Sequence, residues 1–183
     1  MIKRILLGLA VLLIAFVIFI AGRPAAYRIL RVATIPAPAA DLFAQVNDFH
    51  KWTAWSPWAK LDPAMKTTFE GSPSGAGAIY TWAGNSQVGE GRMKIVESRT
   101  NESVRIDLEF IKPFASTSVT EFTFKPMGNQ TEVSWSMAGN NNFMGKAFSL
   151  FMNMDKMIGG DFEKGLAQMK SVVETPPKPN PTQ

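Results

Sequence analysis

At 183 residues, with 46% hydrophobic and 19% charged side chains, the chain has the length and composition of a single globular domain. Half of its formal charge of +4 comes from Lys3 and Arg4, and no run of Lys or Arg builds the basic stripe that nucleic acid requires, which argues against a nucleic-acid partner. Cysteine is absent and His50 is the single histidine, which excludes disulfides, thiolate metal sites, cysteine nucleophiles and a His-rich zinc centre.

The first element is apolar throughout. Residues 5–22 form an uninterrupted run of 18 between Lys3-Arg4 and Arg23. As a helix rising ~1.5 Å per residue it spans ~27 Å, close to the ~30 Å hydrocarbon core of a bilayer. None of the pairs Phe19/Ala21, Ile20/Gly22, Arg23/Ala25 and Pro24/Ala26 makes a good signal-peptidase site, so an uncleaved transmembrane anchor is favoured over a cleaved signal peptide. A buried core helix is the weaker third reading, because nothing polar marks a solvent face. Basic residues lie on both sides of the run and orient it weakly. With cysteine absent, the lean is towards a domain on the periplasmic or extracytoplasmic side.

From Arg28 the pattern changes to period two. Residues 28–35 read as a first strand closed by Pro36 and Pro38. Leu42, Phe43 and Val46 then fall at helical spacing, and Asn47 or Asp48 caps a second short turn carrying Phe49 and Trp52. Strands are predicted over residues 66–69, 79–83, 88–97, 104–110, 117–125 and 131–137. The clearest alternates Val104, Ile106, Leu108 and Phe110 with Arg105, Asp107 and Glu109, one face dry and one wet. Turn residues between strands so closely spaced imply an antiparallel meander.

The last element differs. Phe148, Phe151, Met154, Ile158, Phe162, Leu166, Met169 and Val173 step by three or four, which predicts one apolar stripe on a single helix of about seven turns. Four prolines within residues 176–183 predict an extended, disordered tail. The expected organisation is thus a short basic N-terminus at 1–4, an anchor at 5–22, one domain at 25–175 and the proline-rich tail.

This order of elements resembles the START-like, or SRPBCC, superfamily of polyketide cyclase/dehydrase type. The likeness rests on Pro36-Ala37-Pro38 before Asp41-Leu42-Phe43, on the tryptophan-rich stretch from Phe49 to Trp58, on Gly75 and Gly77 before a strand, and on Thr131-Glu132-Val133-Ser134-Trp135. Trp82-Ala83-Gly84-Asn85, Gly89-Glu90-Gly91 and Gly160-Asp161-Phe162-Glu163 look like a membrane-anchored branch. The resemblance implies an α+β helix-grip fold, with a curved antiparallel sheet of about seven strands wrapped on a long C-terminal helix, plus one N-terminal transmembrane helix. It also implies a cavity between sheet and helix for lipids, sterols, polyketides or aromatic molecules, without saying which.

Within that frame the cavity candidates are Trp82, Trp135, Tyr80, Phe110, Phe114, Met154, Ile158 and Phe162. Trp52 and Trp55 are expected to close the core, while Trp82 and Trp135 are balanced between core and pocket, with indole N–H groups available to orient a ligand. Methionines near the last helix suit an adaptable apolar cavity. Gly159-Gly160 is read as close packing rather than a bend. Ile111-Lys112-Pro113-Phe114 is a lid or a rim touching the bilayer. Glu90 and Arg92 are expected as a surface pair, and His50 as a solvated or helix-end histidine to which Asp48 and Lys51 bring no positioned partner.

The leading expectation is a membrane-tethered, non-catalytic module with two partners, the bilayer through residues 5–22 and an apolar small molecule, and with no cofactor or metal. The rivals are an enzyme of cyclase, dehydrase or hydrolase type using Glu90, Tyr80 or Asp107, and an envelope interaction module using the Trp-rich loop or the proline tail.

Overall fold

The computed structural model describes residues 1–175; the tail expected at 176–183 lies outside the described residues. Helix α1 covers Ile2–Ala21 and leads into strand β1, Ala26–Ile35. Helix α2 (Ala39–Val46), a 3-10 turn at Phe49–Lys51 and the short α3 (Trp52–Trp55) follow. Then come β2 (Lys66–Gly71), β3 (Ala78–Ala83), β4 (Glu90–Arg99), β5 (Ser103–Lys112), β6 (Ser116–Met127) and β7 (Gln130–Asn140). Two helices follow, α4 (Phe143–Phe148) and α5 (Met154–Glu174).

The described strands form one curved antiparallel sheet in the order β1-β7-β6-β5-β4-β3-β2. Strands β2 to β7 are a meander of consecutive hairpins, while β1 pairs with β7 from Ala26↔Asn140 to Ile35↔Thr131. Since β1 and β2 occupy opposite edges, the chain between them must cross the sheet, and α2 and α3 do so on the same face as α5. The expected α+β helix-grip fold and antiparallel meander are present.

Alternation decides which face is buried. On β5, Val104, Ile106 and Leu108 are buried and Arg105, Asp107 and Glu109 are exposed. Met93 and Ile95 on β4, Phe122 and Phe124 on β6, and Val133, Trp135 and Met137 on β7 join them in the core. Against this face α2 buries Leu42, Phe43 and Val46, and α5 buries Phe162, Leu166 and Met169. Asp48 caps the 3-10 turn by accepting from the His50 amide at 2.9 Å.

The expectation of one continuous C-terminal helix needs correction. The chain breaks between Phe148 and Met154, and α5 starts afresh where the Asn153 side chain accepts from the Lys156 amide at 2.9 Å. Asn142 caps α4 in the same way, taking the Gly145 amide at 2.8 Å. An asparagine oxygen competes well for a helix's first free amides, and here it outweighs the apolar spacing that runs across the break. Phe148 and Phe151 therefore leave the buried stripe and are exposed.

Candidate functional site

The register sorts the inward side chains into rows across the sheet. One row, in the middle of β7, runs Arg31, Trp135, Phe122 and Val104. A second, nearer the end of β7, runs Tyr27, Gly139, Ser118, Leu108, Met93 and Tyr80. A third joins Phe110, Gly91 and Trp82 at the end of the sheet where α1 enters.

The first row belongs to a solid aromatic layer. Trp135 stacks on Phe162 of α5 with ring centroids 4.0 Å apart and planes 6° from parallel. Its other neighbour is Phe122, at 4.7 Å. Trp55 and Trp58 meet Trp135 edge-on at 5.6 and 5.8 Å. Such offset stacks and T-shaped contacts are the preferred geometries of aromatic rings. Trp135 is 2% exposed, yet among the described residues its buried Nε1–H has no hydrogen-bond partner. Trp52 and Trp55 instead donate to the Val46 and Gln45 carbonyls at 2.9 and 3.1 Å.

Trp82 lies flat over Gly91, where any Cβ would overlap its six-membered ring. Its indole donates to the Val88 carbonyl at 3.0 Å, so it has no N–H to spare for a ligand. Tyr80 stacks on it at 6.0 Å and Phe110 meets it edge-on at 6.2 Å. All three rings are only half-buried. Burial pushes the Tyr80 phenol above its ordinary pKa. In the adjoining row the Tyr27 and Ser118 hydroxyls share a hydrogen bond of 2.7 Å.

Among the described residues, the side-chain hydrogen bonds that join α5 to β1 come from Arg31. Arg31 reaches the Asp155 carboxylate at 3.0 and 3.1 Å, the Asp155 carbonyl at 2.9 Å and Glu163 at 2.6 Å. Its guanidinium occupies the space that a Cβ on Gly159 would take, whereas Gly160 has open space. Close packing explains the first glycine and not the second. Hydrogen bonding to Arg31 holds the Asp155 carboxyl below its ordinary range, and Arg31 is raised in return.

The eight predicted cavity residues thus separate. Trp135 and Phe162 meet in the packed layer. Tyr80, Trp82 and Phe110 form a half-buried group, and Met154 and Ile158 are half-buried on the first turns of α5. Phe114 stands exposed in the β5–β6 hairpin. The residues proposed for acid–base work do not converge. Glu90 binds Lys112 at 2.7 Å rather than Arg92, and Asp107 is on the exposed face. His50 is solvated, as expected, but it does have an orienting partner, since its Nδ1 is 2.9 Å from Asp48 Oδ1 and its ring stacks on Phe69 at 4.1 Å. Among the described residues no cluster of His, Cys, Asp or Glu is placed to hold a metal ion.

Two features escaped the sequence reading. Arg31 and Tyr27 share the inward parity of Ile29 and Ile35 on β1, and that parity is the signal that places them against α5 and Ser118. Asp62, buried in the loop after α3, takes amides from Ala64 at 3.0 Å and Asn85 at 2.7 Å, and no periodicity announces it.

The fold is shared with solved structures of low sequence identity. Protein CV1439 from Chromobacterium violaceum superposes with a TM-score of 0.57 at 15% identity, over 84% of this chain and 100% of that one. Protein MLL2253 from Mesorhizobium loti gives 0.58 at 14% identity, over 81% and 97%. CalU16 from Micromonospora echinospora gives 0.55 at 14% identity, over 84% and 78%. No curated protein sequence matches the chain. The family model described as polyketide cyclase / dehydrase and lipid transport matches residues 28–174, nearly the whole of the sheet and its helices, and the chain belongs to that family.

Proposed function

We propose that the protein is a membrane-tethered helix-grip module that holds an apolar small molecule between the sheet and α5, without catalysis. Residues 5–22 serve as the anchor and 25–175 as the binding domain, on the extracytoplasmic side. The anchor reading is supported by the composition of α1, which is long and apolar enough to cross a bilayer and buries only Ile20 in the protein. The side rests on Lys3 and Arg4 ahead of the span and on the absence of cysteine.

The observation that carries the binding reading is the unpartnered Nε1–H of Trp135. Buried donors in native proteins are nearly always satisfied, by protein, water or ligand. One donor in a layer of stacked rings suits a largely apolar molecule with a single acceptor atom, which reaches it where the packed layer parts, since Trp135 is 2% exposed. Access for such a molecule lies along the first turns of α5. Met154 and Ile158 are only half-buried there, and Arg31 is the chief polar tie to the sheet. Tyr80, Trp82 and Phe110 line the end of the sheet through which it passes.

The test is native mass spectrometry of the full chain, extracted gently from its own membranes in mild detergent. A discrete added mass, identified after organic extraction as a lipid, terpenoid or polyketide, supports the reading. A clean apo mass, unchanged after incubation with those classes of compound, counts against it.

A further inference from the structure

We infer that the end of the sheet where α1 enters is seated on the bilayer, with α4 and the β5–β6 hairpin lying in the headgroup layer. This rests on the proposed anchor and goes beyond it, because a tether alone leaves the domain free to turn.

The first observation is how α1 ends. Ile20 is buried against α4, and the Lys146 ammonium of α4 donates to the Ala21 carbonyl at 2.9 Å, closing the helix's last turn. The Asn141 amide donates to the Ala25 carbonyl at 2.8 Å, so the chain on both sides of Gly22 is fastened to the same corner. A helix that crosses the bilayer and ends at Ala21 thereby brings α4 to the membrane surface. Asn142 also reaches the Ala115 carbonyl at 3.5 Å, which sets the β5–β6 hairpin beside α4.

The second observation is what this corner exposes. Phe114 and Phe151 are 59% and 80% exposed, and Ile111, Phe143, Met144 and Phe148 are also open to solvent. The turns at the far end of the sheet, residues 99–103 and 127–130, are polar apart from Met127. Six of the large apolar groups exposed outside α1 are thus gathered at the end where the anchor emerges, while Leu30, Val32, Leu61, Phe69, Val96 and Met127 are exposed elsewhere on the domain. A monomeric soluble surface seldom concentrates them so.

Continuity with α1 selects the occupant. Once α1 is inserted, the bilayer lies within a few residues of α4, and contact becomes an intramolecular event at high effective concentration. Phenylalanines on an interfacial helix bury at the boundary of headgroups and acyl chains, and Arg23 directly after the span places a cation at the headgroup level. The seat also turns the half-buried ends of Trp82 and Phe110 towards lipid, so that an apolar ligand passes between bilayer and protein without crossing water.

The chain has no cysteine, so single thiols can be placed at will. Full-length Leu12→Cys, Phe114→Cys, Phe148→Cys and Asn129→Cys, each labelled with a polarity-sensitive fluorophore, are reconstituted into phosphatidylcholine–phosphatidylglycerol vesicles carrying nitroxide lipids at shallow or deep positions. The labels at 114 and 148 are expected to lose most of their emission to the shallow nitroxide. That at 12 loses it to the deep one, and that at 129 to neither. Quenching at 12 with none at 114 and 148 overturns the seating and leaves the anchor standing. No quenching at 12 overturns the anchor and the seating with it. Blue-shifted but unquenched emission at 148 that grows with protein density also overturns the seating, assigning the face to a second copy of the chain.

Discussion

Arg31 and Asp155 form a bidentate pair across the seam between β1 and α5, with Nη1 3.1 Å from Oδ1 and Nη2 3.0 Å from Oδ2. The pair fixes the first turn of α5, next to the break that separates it from α4. Forked Arg–carboxylate contacts add geometric specificity that a single ion pair lacks. Asp155→Asn is therefore expected to raise amide exchange over residues 150–160 more than over the sheet, as read by hydrogen-exchange mass spectrometry. The pH dependence follows from the direction of the shift. Asp155 is held below its ordinary value, so the contribution of its ionised form is complete above the unfolded carboxylate range near pH ~4. It fades as pH falls through the lower native value. The difference in Tm between the native chain and Asp155→Asn should thus be constant from neutral pH down to about pH 5 and shrink below pH ~4. A difference that grows on acidification would show that the pair does not favour the ionised carboxylate.

Gly159 and Gly160 offer a matched comparison in the same helix. Alanine gains ~1 kcal/mol over glycine in a helix interior, so Gly160→Ala, with open space at its Cβ, should stabilise the domain by about that amount. Gly159→Ala places its methyl group in the Arg31 guanidinium, and the side chain must leave Asp155 and Glu163 to make room. It should fall short of the Gly160→Ala gain or reverse it. In an Arg31→Ala background the two alanine substitutions should become equivalent. Urea unfolding of the four variants and their parents measures the coupling directly, and equal effects in both backgrounds would remove the close-packing account of Gly159.

Much of this architecture is legible in the chain because period two and turn chemistry act locally. Val104, Ile106 and Leu108 declare their face without knowledge of any partner strand, and the stripe from Ile158 to Val173 declares a helix. The restart at Asn153 is hidden because Phe148, Phe151 and Met154 keep a three-residue step across it, and only the capping side chain distinguishes a broken helix from a whole one. The candidate site is less legible for a physical reason. Trp82 and Trp135 both occupy inward strand positions. Whether an indole N–H has a partner depends on residues distant in the fold or on a hairpin carbonyl such as that of Val88. Arg31 was obscured by its own charge, since a cation is assigned to the wet face even where strand parity turns it inward.

Asp62 sets a second test of long-range coupling. Its carboxylate accepts the Asn85 amide at 2.7 Å and the Ala64 amide at 3.0 Å, pinning the loop after α3 to the β3–β4 hairpin that carries Trp82. Asp62→Ala leaves these amides without that acceptor, and because Ala64 and Asn85 are exposed, water replaces it and each lost hydrogen bond costs only its net ~0.5–1.5 kcal/mol. The expected outcome is a loss of stability of that order per hydrogen bond removed, with a change in Trp82 emission before global unfolding. Emission that follows only the global transition would mean that the hairpin holds Trp82 without the loop.

Trp135 separates packing from recognition. Trp135→Phe keeps a ring between Phe122 and Phe162 and deletes the unpartnered donor. Relief of a buried orphan is worth ~1–3 kcal/mol and offsets the smaller ring's lost contacts, so the unfolding free energy should change little. Trp135→Ala empties the centre of the layer and should cost ~3–5 kcal/mol. If Nε1–H meets the ligand's acceptor, the phenylalanine variant should fold normally and yet retain much less co-purifying ligand than the native chain. A phenylalanine variant as unstable as the alanine one would mean that the donor is satisfied in the ligand-free protein, by a structural water contributing to stability. Unchanged ligand retention in a stable phenylalanine variant would move recognition away from Trp135, towards the hydroxyl pair of Tyr27 and Ser118 at the α1 end of the sheet.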